Sequence, residues 1–364
     1  MFANDMISLG KLEIKRAVEV KAGSQTTGWH INKYRFPKIW SKTQGESVKV
    51  AVIDTAIDVN HPDLQIHGGY DFVNNTGLRT DAPLHGHGTH VAGIIGAKNN
   101  NLGIVGVAPK CKLYSLAVLN DQGSGSYGNI IRALDWCIEN GMDVVNMSLG
   151  GGGDSKALYE AVRRVYDAGI TMVCAAGNSA WERGYLDFPG TYNETMAIAA
   201  IKQNMQRAEF SSIGPNIDIC APGYEIVSTT PSNTYSAYSG TSMASPFVAG
   251  LVALMISKHR SLGGRTPISG PKDVRDHLTK VAHDVSFDGQ DNYTGYGLVN
   301  PLKSLYLTDR HKLRLHQRKW GLEIYAVDVK FKEDYFFKGR RLAKKGQTRT
   351  LSISGHVLRR LMYG

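Results

Sequence analysis

Between Ser242 and His259 the chain reads SMASPFVAGLVALMISKH, and wound as a helix this stretch is apolar on nearly every side. A helix with no polar face cannot lie on a surface. It demands a domain large enough to surround it, with other elements packed on all sides. The chain has 364 residues, 42% of them hydrophobic and 20% charged, which is ample material for such a core. Ser239-Gly240-Thr241 stands just ahead, so a tight turn delivers Ser242 to the helix start. There the first backbone N–H groups have no acceptor within the helix, and the positive end of the dipole favours a developing anion. Pro246 lies one turn in, where its missing N–H costs little. Two readings of Ser242 stay open from this stretch by itself: a helix N-cap, the common fate of such a serine, or a nucleophile. Partners elsewhere in the chain decide between them.

Those partners come from a repeated alternation of strands and helices. Val48-Lys49-Val50-Ala51-Val52-Ile53 reads as a buried strand ending on Asp54. His85-Gly86-His87-Gly88-Thr89-His90 leads into the helix VAGIIGAK, with His87 near its start. KLYSLAVL is a strand, NIIRALDWCIEN a helix stopped by Gly141, and DVVNMSLGGGG a strand opening into a glycine loop. SKALYEAVRRVYDAG is a further amphipathic helix, and TMVCAAG a strand that delivers Asn178; shorter strands follow at TMAIAAI, IDICAPG and EIVSTT. The pattern predicts an α/β, doubly wound fold: a mostly parallel central sheet with helices on both faces and right-handed crossovers. In such a sheet reactive groups gather beyond the carboxyl ends of the strands. One acid (Asp54), one imidazole (His87) and one hydroxyl (Ser242) can then meet at one rim. The serine Oγ needs a base to take its proton, the imidazole of His87 is the side chain suited to that task, and Asp54 can fix the imidazole tautomer. Asn178 and the Ser242 backbone N–H offer two donors for an oxyanion.

AVIDTAID, HGHGTHVAG, AAGN and SGTSMASP, in that order, resemble the four signature blocks of the subtilisin family of serine proteases, the subtilases. Smaller similarities at HPDL, GVAP, GSGSY, NMSLG, EFSSIGP, APG and YGLVN extend the resemblance over about residues 24–304. The resemblance implies a serine endopeptidase acting on polypeptides, with Asp54, His87 and Ser242 as the triad and Asn178 in the oxyanion hole. It implies that Gly123, Ser124 and Gly125, with Ser148, Leu149 and Gly150, form two edges that pair with an extended substrate. Ala175, Ala176 and Gly177 and the loop to Pro189 would wall the pocket for the residue before the scissile bond. Asp187 falls near the floor of that pocket, where an acid favours a basic side chain. Calcium is the implied cofactor, held by Asp63, Asn100, the carbonyls of Lys98, Leu102 and Ile104, and Gln25. Two departures stand out: Ala56 replaces the usual glycine, and Phe247 the usual histidine, which we read as a packing swap.

The layout resembles the intracellular branch of the family. Residues 1–23, a short mixed-charge leader, are expected to block the cleft until removed by self-cleavage, with a peptidase domain over 24–304 and an extension over 305–364. The N-terminus lacks the basic end and apolar centre of a secretory signal, and the reading is a cytoplasmic protein with no membrane association. Cys111, Cys137, Cys174 and Cys220 each sit in an apolar segment and read as reduced structural thiols. The net charge of +10 belongs to residues 305–364, which hold 15 of the 42 Lys and Arg and 5 of the 32 Asp and Glu; the rest of the chain balances. LEIYAVDVKF in that extension alternates as a strand or hairpin does. Its basic and aromatic mix allows nucleic-acid binding, with partner docking or plain solvation the favoured readings. His85, His87 and His90 lack the glutamate of HExxH and a fourth ligand, against zinc. GTSMA is not the GxSxG elbow of an α/β-hydrolase. The rival function is a binding protein on the same fold, working through its basic tail.

Overall fold

Strand β1 (Lys49–Asp54) has five of its six residues buried and lies inside an eight-stranded sheet. In chain order the others are β2 (Ile66–Asp71), β3 (Thr76–Gly77), β4 (Lys112–Ala117), β5 (Val144–Met147), β6 (Thr171–Ala175), β7 (Met196–Ile201) and β8 (Ile217–Pro222). Their spatial order is β8-β7-β6-β5-β1-β4-β2-β3, and every neighbouring pair is parallel except β2 with β3. Apolar side chains on both faces, as in VAVI and MVCA, are what a sheet covered on both sides requires. This computed structural model describes residues 6–9, 13–19, 24–180, 182, 184–264, 266, 268–305, 313–319, 322–330, 335–337, 340–343 and 348–354.

Alternation along the strands divides the core into two layers. Ala51, Ile53, Val145, Met147, Met172 and Cys174 face helices α2 (Tyr127–Glu139) and α3 (Lys156–Asp167), which contribute Ile130, Leu134, Leu158, Val162 and Val165. The side chains of Ser126 and Ser155 cap these two helices by accepting from Asn129 N and Leu158 N. Helix α1 (His87–Gly96) is buried along its whole length and packs on β1 and β4. Helix α4 (Thr241–Ser261) is buried continuously from Thr241 to Met255. By length and composition it could cross a membrane, yet 89% of its apolar window is covered by protein, as its lack of a polar face demands. Phe247 meets the rings of His30, Tyr34 and Phe36 at 6.1, 5.5 and 5.7 Å, so the departure from histidine is taken up by an aromatic cluster.

Contacts divide the chain into residues 1–258 with 268–305, and 259–267 with 306–364. Within the second unit, Leu313–Lys319, Leu322–Lys330 and Thr348–Ser354 form a three-stranded antiparallel sheet, and Tyr335–Phe337 pairs with Arg340–Ala343. The alternating LEIYAVDVK is thus a strand. The side chains of this extension, on which nucleic-acid binding would turn, lie outside the described residues.

Candidate active site

Asp54 ends β1, between β5 and β4, where the order of chain connections reverses, the place at which functional groups gather in sheets of this kind. His87 is the first residue of α1, and its Nδ1 lies 2.7 Å from Asp54 Oδ1 with both side chains fully buried. The same carboxylate oxygen accepts from Thr55 N at 2.7 Å, and Thr55 Oγ1 accepts from Gly88 N at 2.9 Å. A Cβ at Gly88 would stand 2.2 Å from the Thr55 carbonyl, so only glycine lets the helix start approach the turn that carries the acid. A carboxylate oxygen can only accept, which makes His87 Nδ1 the protonated nitrogen and leaves Nε2 as the basic one. Nε2 is buried and has no hydrogen-bond partner among the described residues.

Ser242, second residue of α4, is 4% exposed. Its Oγ donates to the Ser148 carbonyl at 3.1 Å, so the expected Ser242–His87 bond is not formed in this rotamer. Pro246 also removes the N–H that would have bonded to the Ser242 carbonyl one turn back. Ser148 Oγ donates to that carbonyl instead, at 2.9 Å, and this draws the Ser148 segment against the helix start. Ser245 Oγ and Asn146 Nδ2, each 2.9 Å from Ser148 Oγ, complete the knot. Asn178 follows β6, and its Oδ1 accepts from Thr241 N and Thr241 Oγ1, both at 2.9 Å. A backbone N–H can only donate, so this contact fixes which way the amide faces and turns Nδ2 the other way. Thr241 Oγ1 also accepts from Gly177 N at 3.2 Å.

The two edge segments are occupied. Met6–Ser8 forms a strand antiparallel to Ser124–Ser126, in the register Met6 with Ser126, Ile7 with Gly125 and Ser8 with Ser124. On its other side Ser8 exchanges both backbone bonds with Gly150 at 3.2 Å, and Leu9 N donates to the Gly123 carbonyl at 3.0 Å. Ile7 is 1% exposed and belongs to the cluster that contains Leu119, Tyr127 and Leu149, whereas Met6 is 51% exposed. Glu13–Ala17 pairs antiparallel with Thr234–Ser239, the strand that leads into α4. Ala175, Ala176 and Gly177 are buried beside Asp187, whose N–H donates to the Ala176 carbonyl at 3.3 Å.

The candidate cation loop also comes together. Gln25–Thr26 pairs in parallel with Gly103–Ile104. Gln25 Nε2 lies 2.7, 3.1 and 2.9 Å from the carbonyls of Lys98, Leu102 and Ile104, and 3.5 Å from Asn100 Oδ1. Asp63 Oδ2 accepts from Ile104 N at 2.7 Å, while its Oδ1 is buried with no hydrogen-bond partner. Burial pushes the Asp63 carboxyl up to about 6. One amide with two hydrogens faces four acceptors, and a buried carboxylate oxygen is left over. The loop is over-supplied with oxygen, which is what a hard cation needs.

His90 stacks on Tyr238, with ring centroids 4.2 Å apart, and burial pushes it down to about 3, which makes it a packing residue. Thr241 and Ser245 are functional neighbours the sequence reading missed. Their signal was present: hydroxyls on a helix with no solvent face must find partners inside.

A model of the Subtilase family matches residues 45–297. The chain is 42% identical over 280 residues to subtilisin DY of Bacillus licheniformis, an alignment covering 76% of this chain and 98% of that protein. It is 44% identical over 281 residues to subtilisin NAT of Bacillus subtilis subsp. natto, covering 76% and 71%. To the subtilisin of Bacillus pumilus it is 44% identical over 281 residues, covering 76% and 98%.

Proposed function

The chain belongs to the subtilase family and is a serine endopeptidase, and from that membership we propose that it cleaves polypeptides through an acyl-enzyme on Ser242. The observation that carries this reading is the buried 2.7 Å Asp54–His87 pair, whose Nε2 has no competing partner at the rim where α4 begins. Ser242 Oγ leaves the Ser148 carbonyl and turns to His87 Nε2, which takes its proton as Oγ attacks the scissile carbonyl. Asp54 holds the imidazole and stabilises its cationic form. The oxyanion is met by Asn178 Nδ2, held in orientation by Thr241, and by the Ser242 N–H in the unsatisfied first turn of the helix. His87 then protonates the leaving amine. Water, activated by the same imidazole, releases the acyl group.

The same reading covers cofactor and leader. Calcium would be held by Asp63, Asn100, Gln25 and the carbonyls of Lys98, Leu102 and Ile104, with the Gln25 amide turned to present oxygen. It takes no part in bond cleavage and stiffens the loop. Residues 6–9 sit as an added strand between Ser124–Ser126 and Gly150, the way an extended substrate binds, so the leader competes with substrate until it is cut. A compartment with reducing conditions suits the four free, buried cysteines, and cell fractionation tests that assignment.

Hydrolysis of unfolded casein by the wild type and by Ser242→Ala, each with and without a calcium chelator, tests the proposal. Loss of activity in Ser242→Ala supports the nucleophile. A wild type that has shed its leader and still cuts nothing would refute the reading.

A further inference from the structure

We propose that the strand Thr234–Ser239 is a substrate-binding edge for the part of a polypeptide that follows the bond being cut; the inference rests on the peptidase reading of the same cleft. The chain's own leader traces the path. Residues 6–9 lie between Ser124–Ser126 and Gly150, and their antiparallel course past Gly150 heads towards Ser148, whose carbonyl holds Ser242 Oγ. After three intervening residues the leader is paired again, Glu13 with Ser239, which stands three positions ahead of Ser242. Ile14 then pairs with Tyr238, Arg16 with Ala237 and Ala17 with Ser236, and Val18 N donates to the Tyr235 carbonyl at 2.9 Å. One chain thus approaches the nucleophile along one pair of edges and continues along another, in a single direction. In peptide hydrolysis the residues before the cut stay on the serine as the acyl group, and those after it leave with the amine. Thr234–Ser239 serves the amine side.

What this edge reads is backbone. Ile226–Thr230 pairs with one side of Thr234–Ser239, and the leader takes the other side, whose N–H and C=O groups an added strand can meet. Arg16 and Ala17, in the middle of the pairing, have exposed side chains. Affinity drawn from the main chain is indifferent to the order of side chains and requires an extended partner. The ligand class is therefore an unfolded polypeptide that runs several residues past the cut. Among the described residues the leader strand is the last in its three-stranded sheet, so one of its two hydrogen-bonding edges faces the enzyme. A series of backbone bonds, less the cost of ordering the chain, gives roughly a 10- to 100-fold gain in kcat/KM.

The test compares quenched fluorogenic peptides that share every residue up to the second one after the cut. One ends there, and the others carry six more residues, the length of leader residues 13–18. Among the long peptides, one has its extension scrambled, and two carry N-methyl groups on alternate amides of one edge or the other. The enzyme is processed wild type whose mass shows residues 1–18 gone, titrated with a sulfonyl fluoride that needs the nucleophile alone. Where processing leaves residues 13–18 in place, Arg16→Pro with Val18→Pro is used, because these prolines take two N–H groups out of the retained strand. The expected result is a gain of roughly 10-fold or more in kcat/KM for the long peptide. That gain should survive scrambling, vanish with one N-methyl set and persist within about threefold with the other. No gain, a gain that scrambling removes, or equal behaviour of the two N-methyl sets overturns the edge while the short peptide is still cut. A wild type that neither titrates nor cleaves any of the peptides overturns the peptidase reading itself.

Discussion

Ile7→Ala in the leader should switch on a chain whose N-terminus is still intact. The side chain of Ile7 is 1% exposed, packed in the cluster that includes Leu119, Tyr127 and Leu149. Truncation to alanine removes three carbons from that pocket, and at about 0.8 kcal/mol per buried CH₂ the cleft-bound state loses roughly 2.4 kcal/mol. That raises the fraction of molecules with a vacant cleft roughly 50-fold, limited only by full vacancy. The backbone bonds to Gly150 and Gly123 remain, so the effect isolates the side chain. Met6 serves as the internal control, because it lies on the opposite face of the same strand and is 51% exposed. Met6→Ala should change the activity less than about threefold. The assay is the initial rate of a short chromogenic peptide, with the intact mass of each protein verified at the time of measurement. An initial rate for Ile7→Ala no higher than for Met6→Ala would refute the reasoning, as would an unprocessed wild type already working at the processed rate.

Thr241→Val keeps shape but deletes the hydroxyl shared by Asn178 Oδ1 and Gly177 N, a loss of about 1 kcal/mol in amide orientation. It should lower kcat roughly fivefold with KM nearly unchanged, and a change in KM alone would contradict an oxyanion role. Calcium at a hundred times its dissociation constant should stabilise the Ser242→Ala protein by about 2.7 kcal/mol, or roughly 5–10 °C in Tm. Asp63→Asn should erase most of that difference between calcium and chelator, and equal melting of the Ser242→Ala protein in both would count against the site. His30 and His90 are buried, and desolvation pushes both from the usual 6.5 down to about 3. Between those values the unfolded chain binds protons that the folded chain refuses, so stability falls as pH falls, by roughly 1.4 kcal/mol per pH unit for each histidine. Denaturant unfolding of the Ser242→Ala protein between about pH 6 and pH 5, in saturating calcium so that Asp63 does not oppose the slope, should lose roughly 2.8 kcal/mol per unit. A flat profile would mean these rings are charged or solvated in the native state.

What the sequence disclosed divides along a physical line. Asp54 and His87 were legible because each is set by local chemistry: an apolar run that must end where an acid can stand, and a helix that starts on an imidazole. The buried helix α4 was legible for the same reason, since its apolar circumference admits only one kind of surroundings. Ser242 was legible as a position and not as a geometry, because its Oγ is held by a carbonyl from Ser148, 94 residues away. The link between them runs through the N–H that Pro246 lacks, which only a tertiary partner can answer. Met6–Leu9 shows the limit most clearly. MISL has no alternation that would make a strand alone, and it is extended because Gly123, Gly125 and Gly150 present backbone groups on both sides of it. The edges dictate that conformation, and any unfolded chain that can bury one side chain and supply the same donors and acceptors can take it. On the leader role proposed above, a segment bound this way would be displaceable by substrate and open to attack by the same serine. The strength of its side-chain anchor, Ile7, would then set how long the enzyme stays silent.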